Sequence, residues 1–286
     1  MLEVITGPLE FAFMQRALLA AACAGLVCAV VGAFVVLRGM AFMGDAIAHS
    51  SLSGMSVAYF FGGSVFWGAF AWAVPASLVI TLISRRANLR LDTAIGVIFA
   101  GGFALGMILI SRVTGYTADL FGLLFGNVLG ASWHEVFLIG SLAAVVLLVM
   151  VAFYKELLFT AYDANMAEAS GIPVRFMQYL LPVLVGVTTV VSLKAVGIVL
   201  VLALLVTPAA TATLLARRLP QIMLVSAIIA LLSTVIGLYL SYYANLPTGP
   251  AIVLISTGCF VLALGVAPAK GLIRRWRNPA EGQRAD

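Results

Sequence analysis

The stretch FAFMQRALLAAACAGLVCAVVGAFVVL, residues 11–37, decides the fold class. Beyond Arg16 it holds no charge over 21 residues, longer than the roughly 20 apolar residues that a helix needs to cross about 30 Å of hydrocarbon. Its apolar side chains fall on every side of a helix. A transmembrane barrel strand instead alternates apolar and polar over about 10 residues, so a helix is expected. The run is too long for a signal-peptide core and no small-residue cleavage site follows it, so it reads as a retained span.

Eight further apolar segments follow, at roughly 45–62, 64–84, 92–111, 134–153, 176–193, 196–215, 222–243 and 250–267. The two that flank Lys194 are joined very tightly, and a half-span among the shorter ones would lower the count. The expectation is an all-α polytopic membrane protein with eight to nine transmembrane helices. Composition agrees. Only 9% of the 286 residues are charged, against about a quarter in soluble domains. No interior of this size hides so much apolar surface, so lipid must cover it.

Several classes of function drop out. The three cysteines, Cys23, Cys28 and Cys259, lie within apolar runs and read as packing residues, not as a disulfide framework. There is no GxxxxGK[ST] loop to cradle a nucleotide phosphate, and no nucleophile constellation. The glycines, such as Gly101, Gly102 and Gly106, suit close packing of membrane helices. The net charge of +5 sits in short loops, where it orients the chain in the membrane and does not point to nucleic acid. With the N-terminus outside, 13 of the 16 Lys and Arg residues fall inside and only Arg16, Arg112 and Lys194 fall outside. The expected orientation is N-out, C-in. The expected layout is one transmembrane domain over 1–270, with an inner loop at 155–175 and a basic, disordered cytoplasmic tail over 271–286.

The inner loop reads KELLFTAYDANMAEASGIPVR. Residues 163–170 can make two helical turns, with Asp163 as N-cap. Gly171 suits a left-handed stop, and Pro173 prevents continuation. Such an element serves equally as an ordinary surface loop or as a handle for a partner.

Ionisable groups inside spans cost on the order of 3 kcal/mol at the bilayer centre and are functional candidates by default. The pair that stands out is Asp45 and His49 in MGDAIAHSSLSG. Four residues apart, they share one helix face. A carboxylate and an imidazole one turn apart suit a borderline divalent cation such as manganese, iron or zinc. The bland alternative makes Asp45 a helix cap and His49 a satisfied interior histidine. Two ligands make an incomplete site, so a second copy of the chain would help complete it. His134 and Glu135 beside Trp133 read as an interfacial anchor. Asp92 near Arg90 reads as a cap or an ion pair. Lys194 either snorkels to water or repels cations at the outer face.

Four stretches, in order, resemble the permease subunit of the manganese, zinc and iron ABC importers: FVVLRGMAFMGDAIAHSSLSG at 34–54; DTAIGVIFA at 92–100 with LFGNVLGAS at 124–132; AYDANMAEASGIPV at 161–174; and KAVGIVLVLALLVTPAATATLLA at 194–216. The resemblance covers nearly the whole chain. One departure is SSLSG at 50–54, where many members carry a proline before the glycine.

The resemblance implies a fold like the cobalamin-importer-type (type II) ABC permease, with two copies around a central pathway. It implies Asp45 and His49 as metal ligands on that path. It implies docking of 161–174 on cytoplasmic ABC ATPase subunits through Asp163, Ala167, Glu168 and Gly171. More weakly, it implies that Arg16 meets an extracytoplasmic metal-binding protein. The chain would then be no enzyme itself, since ATP hydrolysis lies in a separate subunit. It would hold no permanent cofactor and would carry Mn2+, or else Zn2+ or Fe2+, across a bacterial cytoplasmic membrane. The leading rival is a proton-coupled secondary transporter or channel that uses Asp45 and His49 as a relay. A membrane protein that moves nothing is a third possibility, and it has no use for the loop.

Overall fold

Helix α1 (Ala12–Leu37) is apolar all round, and the fold places it in the middle. Its small residues, among them Ala17, Ala20, Ala21, Ala24 and Gly25, are buried and let neighbouring backbones come close. In the computed structural model of the chain the described residues are 7–112 and 130–277. The 124–129 part of the second motif stretch and the 278–286 part of the tail lie outside them.

The remaining elements are α2 (Met43–Phe60), α3 (Val65–Arg86), α4 (Leu91–Ser111), α5 (Trp133–Ala152), the short α6 (Tyr154–Tyr162) and α7 (Ala164–Ala169), α8 (Val174–Val196), α9 (Ile198–Leu215), α10 (Leu219–Ala244) and α11 (Thr248–Arg277). Helix α1 packs against α5, α8, α9 and α10, and α2 is wrapped by α3, α4, α8 and α9.

Each of the nine apolar segments carries a helix, yet the expected count of eight to nine spans is not what length and hydropathy give. Among the described residues seven helices are long and apolar enough to cross a membrane: α1, α3, α4, α5, α8, α10 and α11 as far as Val266. Helix α2 falls short because it carries Asp45, His49 and four buried serines in 18 residues. Helix α9 is apolar but short, because Gly197 cuts it from α8. Gly197 has φ +78° and ψ 169°, a conformation that only glycine adopts without strain.

The Phe11 ring lies 6.4 Å from Tyr242, so the start of α1 meets the last turn of α10. Lys194 contacts both Glu135 and Phe66, and Arg38 reaches Thr160. Ser226 of α10 donates to the Ala29 carbonyl of α1, and Ser192 of α8 meets Cys28 at 3.2 Å.

Gly102 and Gly106 are where α4 meets α2. A Cβ on Gly102 would lie 2.5 Å from the Ser50 Cβ, and one on Gly106 would lie 2.7 Å from the Ser53 nitrogen. The Ser53 hydroxyl donates to the Gly102 carbonyl, and the Ser56 hydroxyl donates to the Gly106 carbonyl at 3.2 Å. The Ser53 and Ser56 hydroxyls of α2 are thus satisfied within the bundle.

Helix α11 continues through residues 271–277, where a disordered tail was expected.

Candidate functional site

Helix α2 begins with no side-chain cap, and Asp45 is its third residue, not its N-cap. The capping alternative for Asp45 therefore does not hold, although a carboxylate in the first turn suits the helix dipole. One turn on, His49 Nε2 lies 3.4 Å from Asp45 Oδ1. That is too long for a good hydrogen bond. A cation at about 2.1 Å from both atoms would subtend roughly 110° at this spacing, close to a tetrahedral angle. The two side chains are 24% and 28% exposed, so neither is sealed in the core nor fully open.

Two aromatic rings of α4 hold the imidazole. Phe99 and Phe103 stack on each other and meet His49 edge-on at 5.4 and 5.7 Å between ring centres. Sequence spacing could not couple α4 to His49, so these two residues were not foreseen.

Asp45 lines a cavity of about 250 Å³ with Phe42, Ala46, Asp92, Ile95, Gly96 and Phe99. Asp92 was expected to cap α4 or pair with Arg90. It does not cap, because Arg90 is the N-cap and uses no side chain. The Arg90 contact is long, 3.9 Å, between well-exposed groups, so it contributes little. Asp92 instead places a second carboxylate beside the same cavity. Among the described residues no three His, Cys, Asp or Glu side chains come together in a metal-sized group.

Lys194 neither snorkels freely nor stands as a lone cation. It pairs with Glu135 at 3.3 Å and sits 5.1 Å from the centre of the Phe66 ring. Glu135 also closes a capping box with Ser132 at the start of α5. His134 is exposed beside it. Arg16 donates from Nε to the Ala12 carbonyl of its own helix at 3.1 Å.

The inner loop folds as its sequence suggests. The Asp163 carboxylate accepts from the backbone N–H groups of Asn165 and Met166, both at 3.0 Å. At the far end of α7 Gly171 takes φ +81°. Its N–H donates to the Glu168 carbonyl and that of Ile172 to the Ala167 carbonyl, which is the double closure of a Schellman stop. Asp163, Glu168 and Gly171 are exposed. Ala167 is fully buried, so it anchors α7 against the bundle and offers no surface of its own. The exposed apolar side chains here are Tyr162 and Met166, which the sequence did not single out.

The sequence profile of the ABC 3 transport family matches residues 10–267. The chain belongs to the ABC 3 transport family. This is the family expected from the four sequence stretches. Among relatives in the ABC 3 family, the manganese transport system membrane protein MntC of Halalkalibacterium halodurans is 42% identical over 94% of this chain and 93% of its own length. The manganese import system permease protein ScaB of Streptococcus gordonii is 39% identical over 96% and 98%. The solved structure of PsaBC from Streptococcus pneumoniae in complex with Fab is similar, with TM-score 0.81 and 38% identity over 92% of this chain and 94% of that one. An inward-facing metal-chelate type ABC transporter matches in fold, with TM-score 0.70 at 19% identity over 88% and 85%. The ABC 3 chain is thus a multi-pass membrane protein with an ABC-transporter permease fold.

Proposed function

We propose that this chain is the membrane permease of an ATP-driven importer of divalent manganese, with zinc and iron as the next candidates. The observation that carries the reading is the Asp45–His49 pair, held at 3.4 Å on a half-buried turn beside an acidic cavity. Relatives about 40% identical over nearly the whole chain are named for manganese transport. Oxygen plus imidazole suits manganese and zinc alike.

Two ligands from each of two copies line the path. Ligation by one chain stays incomplete, so the ion can leave as well as enter. All nine apolar helices cross the membrane in this reading. Helices α2 and α9, each of 18 residues, are about 27 Å long at 1.5 Å per residue. The contacts of Lys194 with Phe66 and Glu135, and of Arg38 with Thr160, support alternating crossings. The basic residues then put the N-terminus outside and the C-terminus in the cytoplasm.

Helices α6 and α7 lie on the cytoplasmic side and receive the ATPase, with Asp163, Glu168, Tyr162 and Met166 on the accessible surface and Ala167 and Gly171 holding the shape. An extracytoplasmic binding protein delivers the ion to the other face, where Arg16 lies. One permease domain over 1–270 does all of this, and the basic end stays inside.

The test is manganese accumulation in cells that carry the wild-type chain, Asp45→Ala or His49→Ala. Both variants should lose uptake while the complex still assembles; normal uptake in both refutes the site. ATP depletion with the proton gradient held separates this reading from the proton-coupled rival. Uptake should then stop, whereas a proton-driven carrier would continue.

A further inference from the structure

Helix α1 ends at Arg38, and the chain turns through Gly39, at φ +66°, and the buried Met40 before α2 begins. Arg38 is seven residues from Asp45. Its guanidinium does not point to water. It crosses the inner end of the bundle and donates from Nη2 to the Thr160 hydroxyl at 2.7 Å. Thr160 is itself buried in α6, two residues before that helix ends. Its hydroxyl is anchored to its own helix through the Glu156 carbonyl at 2.9 Å and the Leu157 carbonyl at 3.1 Å. From there a single residue, Asp163, links α6 to α7.

Among the described residues this is the one side-chain hydrogen bond or ion pair that joins 154–171 to the rest of the protein. The hydrogen bonds of Asp163 and Ser170 are local. The chosen partner is also a costly one. A half-buried guanidinium has a neutral hydroxyl for company and no carboxylate, and burial pulls its pKa below the ordinary arginine value. Stability alone is better served by an apolar residue there. The contact also borders a cavity of about 510 Å³, lined by Arg38, Thr160, Arg85, Thr81 and Gln178, among others. The buried Gln178 Oε1 has no hydrogen-bond partner. The cavity separates this end of α6 from parts of α3 and α8, while Leu157 holds α6 in the core.

We propose that the Arg38–Thr160 hydrogen bond is the contact that transmits movement of the α6–α7 segment to the turn carrying Asp45 and His49, with Arg38 a positioning residue and not an ion ligand. The inference rests on the ATP-driven reading above. It identifies how the cytoplasmic segment and the candidate ion site are tied together.

The experiment uses the whole importer, this chain with its ATPase and binding protein, in proteoliposomes. Three quantities are read for each variant: manganese bound at equilibrium, ATP hydrolysis with and without the manganese-loaded binding protein, and manganese uptake. Thr160→Val keeps shape and removes the hydroxyl; Thr160→Ser keeps the hydroxyl. Thr160→Val and Arg38→Ala should each cut uptake at least tenfold. Bound manganese should stay within twofold of wild type, as should basal ATP hydrolysis, and stimulation by the loaded binding protein should disappear. Thr160→Ser should restore uptake to within twofold of wild type. The double variant should lose no more than either single one. Uptake within twofold of wild type in Thr160→Val overturns the proposal. So does loss of manganese binding in parallel with uptake, which marks a merely structural contact. If the wild-type complex imports manganese without hydrolysing ATP, it is the ATP-driven reading that fails.

Discussion

Lys194 Nζ lies 3.3 Å from Glu135 Oε1, and this pair ties the break between α8 and α9 to the first turn of α5. Both side chains are about a third exposed, so the ion pair alone is worth only about 0.2–1 kcal/mol. Glu135 does a second job in the capping box with Ser132, worth about 1 kcal/mol more. The two substitutions should therefore differ. Glu135→Ala should lower the thermal midpoint of the detergent-solubilised protein about twice as far as Lys194→Met. The double variant should match Glu135→Ala closely, since the pair is already lost there. Ser132→Ala, which breaks the capping box and leaves the ion pair, should lower the midpoint as well, and an unchanged midpoint there would show that the capping box contributes nothing.

The α2–α4 crossing sets the next expectation. A methyl at Gly106 meets backbone atoms of Ser53 and Leu52, at 2.7 and 2.9 Å, and backbone cannot yield as a side-chain tip can. Gly106→Ala should cost about 1–3 kcal/mol through overpacking. A methyl at Gly101, one residue before Gly102, would meet nothing within 4 Å in this chain. Gly101→Ala should leave the fold of the single chain unchanged or slightly firmer, because alanine is the better helix former. Folded yield and thermal midpoint of the two variants, compared side by side, check the contrast. A destabilised Gly101→Ala with an unaffected Gly106→Ala would mean that α4 is rotated from the face described.

How far the sequence could be read follows the range of each interaction. Asp163 and Gly171 were legible because a cap and a left-handed stop are set within one turn of chain. Asp45 and His49 were legible as a pair because helical periodicity alone puts them on one face. The same reasoning misjudged Asp45 as a possible cap, since the helix starts two residues earlier at Met43. It read Lys194 as an isolated cation and left Phe99, Phe103 and Thr160 unremarked. Each of these depends on which helices become neighbours, and apolar runs without a polar face do not encode their neighbours. Length and hydropathy alone give fewer spans than expected for a related reason. Helix α2 satisfies Ser53 and Ser56 on α4 carbonyls and Ser50 and Ser51 on its own, so a helix buried in the bundle need not be apolar enough to be recognised as a span.

If His49 holds the ion, the rings that hold His49 should tune its affinity. Phe99 and Phe103 meet the imidazole edge-on and fix its orientation relative to Asp45. Aromatic contacts of this kind are worth about 0.5–1.5 kcal/mol each beyond simple burial. Phe99→Ala should weaken manganese binding about fivefold, and Phe99→Leu, which keeps the bulk, should weaken it less. Equilibrium dialysis with manganese on the purified protein gives the comparison. Unchanged affinity in a variant lacking both rings would show that they only fill space beside the site.

The α6–α7 segment offers a test that is independent of transport. Helix α7 has six residues, too few to persist by its own hydrogen bonds, so its two ends must be fixed by Asp163 and by Gly171. Asp163→Ala removes an acceptor for two backbone N–H groups, at a cost of about 1 kcal/mol. Gly171→Ala forces a Cβ into φ +81°, at a cost of about 1–2 kcal/mol. Both losses fall on a segment held to the bundle mainly by Ala167 and, through α6, by Thr160. Either variant should fray α7 while the thermal midpoint of the bundle stays near wild type. A glutamate-specific protease should then cut after the exposed Glu168 several times faster. Gly171→Asn should be cut more slowly than Gly171→Ala, because asparagine tolerates the left-handed region better. Cleavage at the wild-type rate in both Asp163→Ala and Gly171→Ala would mean that the caps are incidental and that packing of Ala167 alone holds the segment in place.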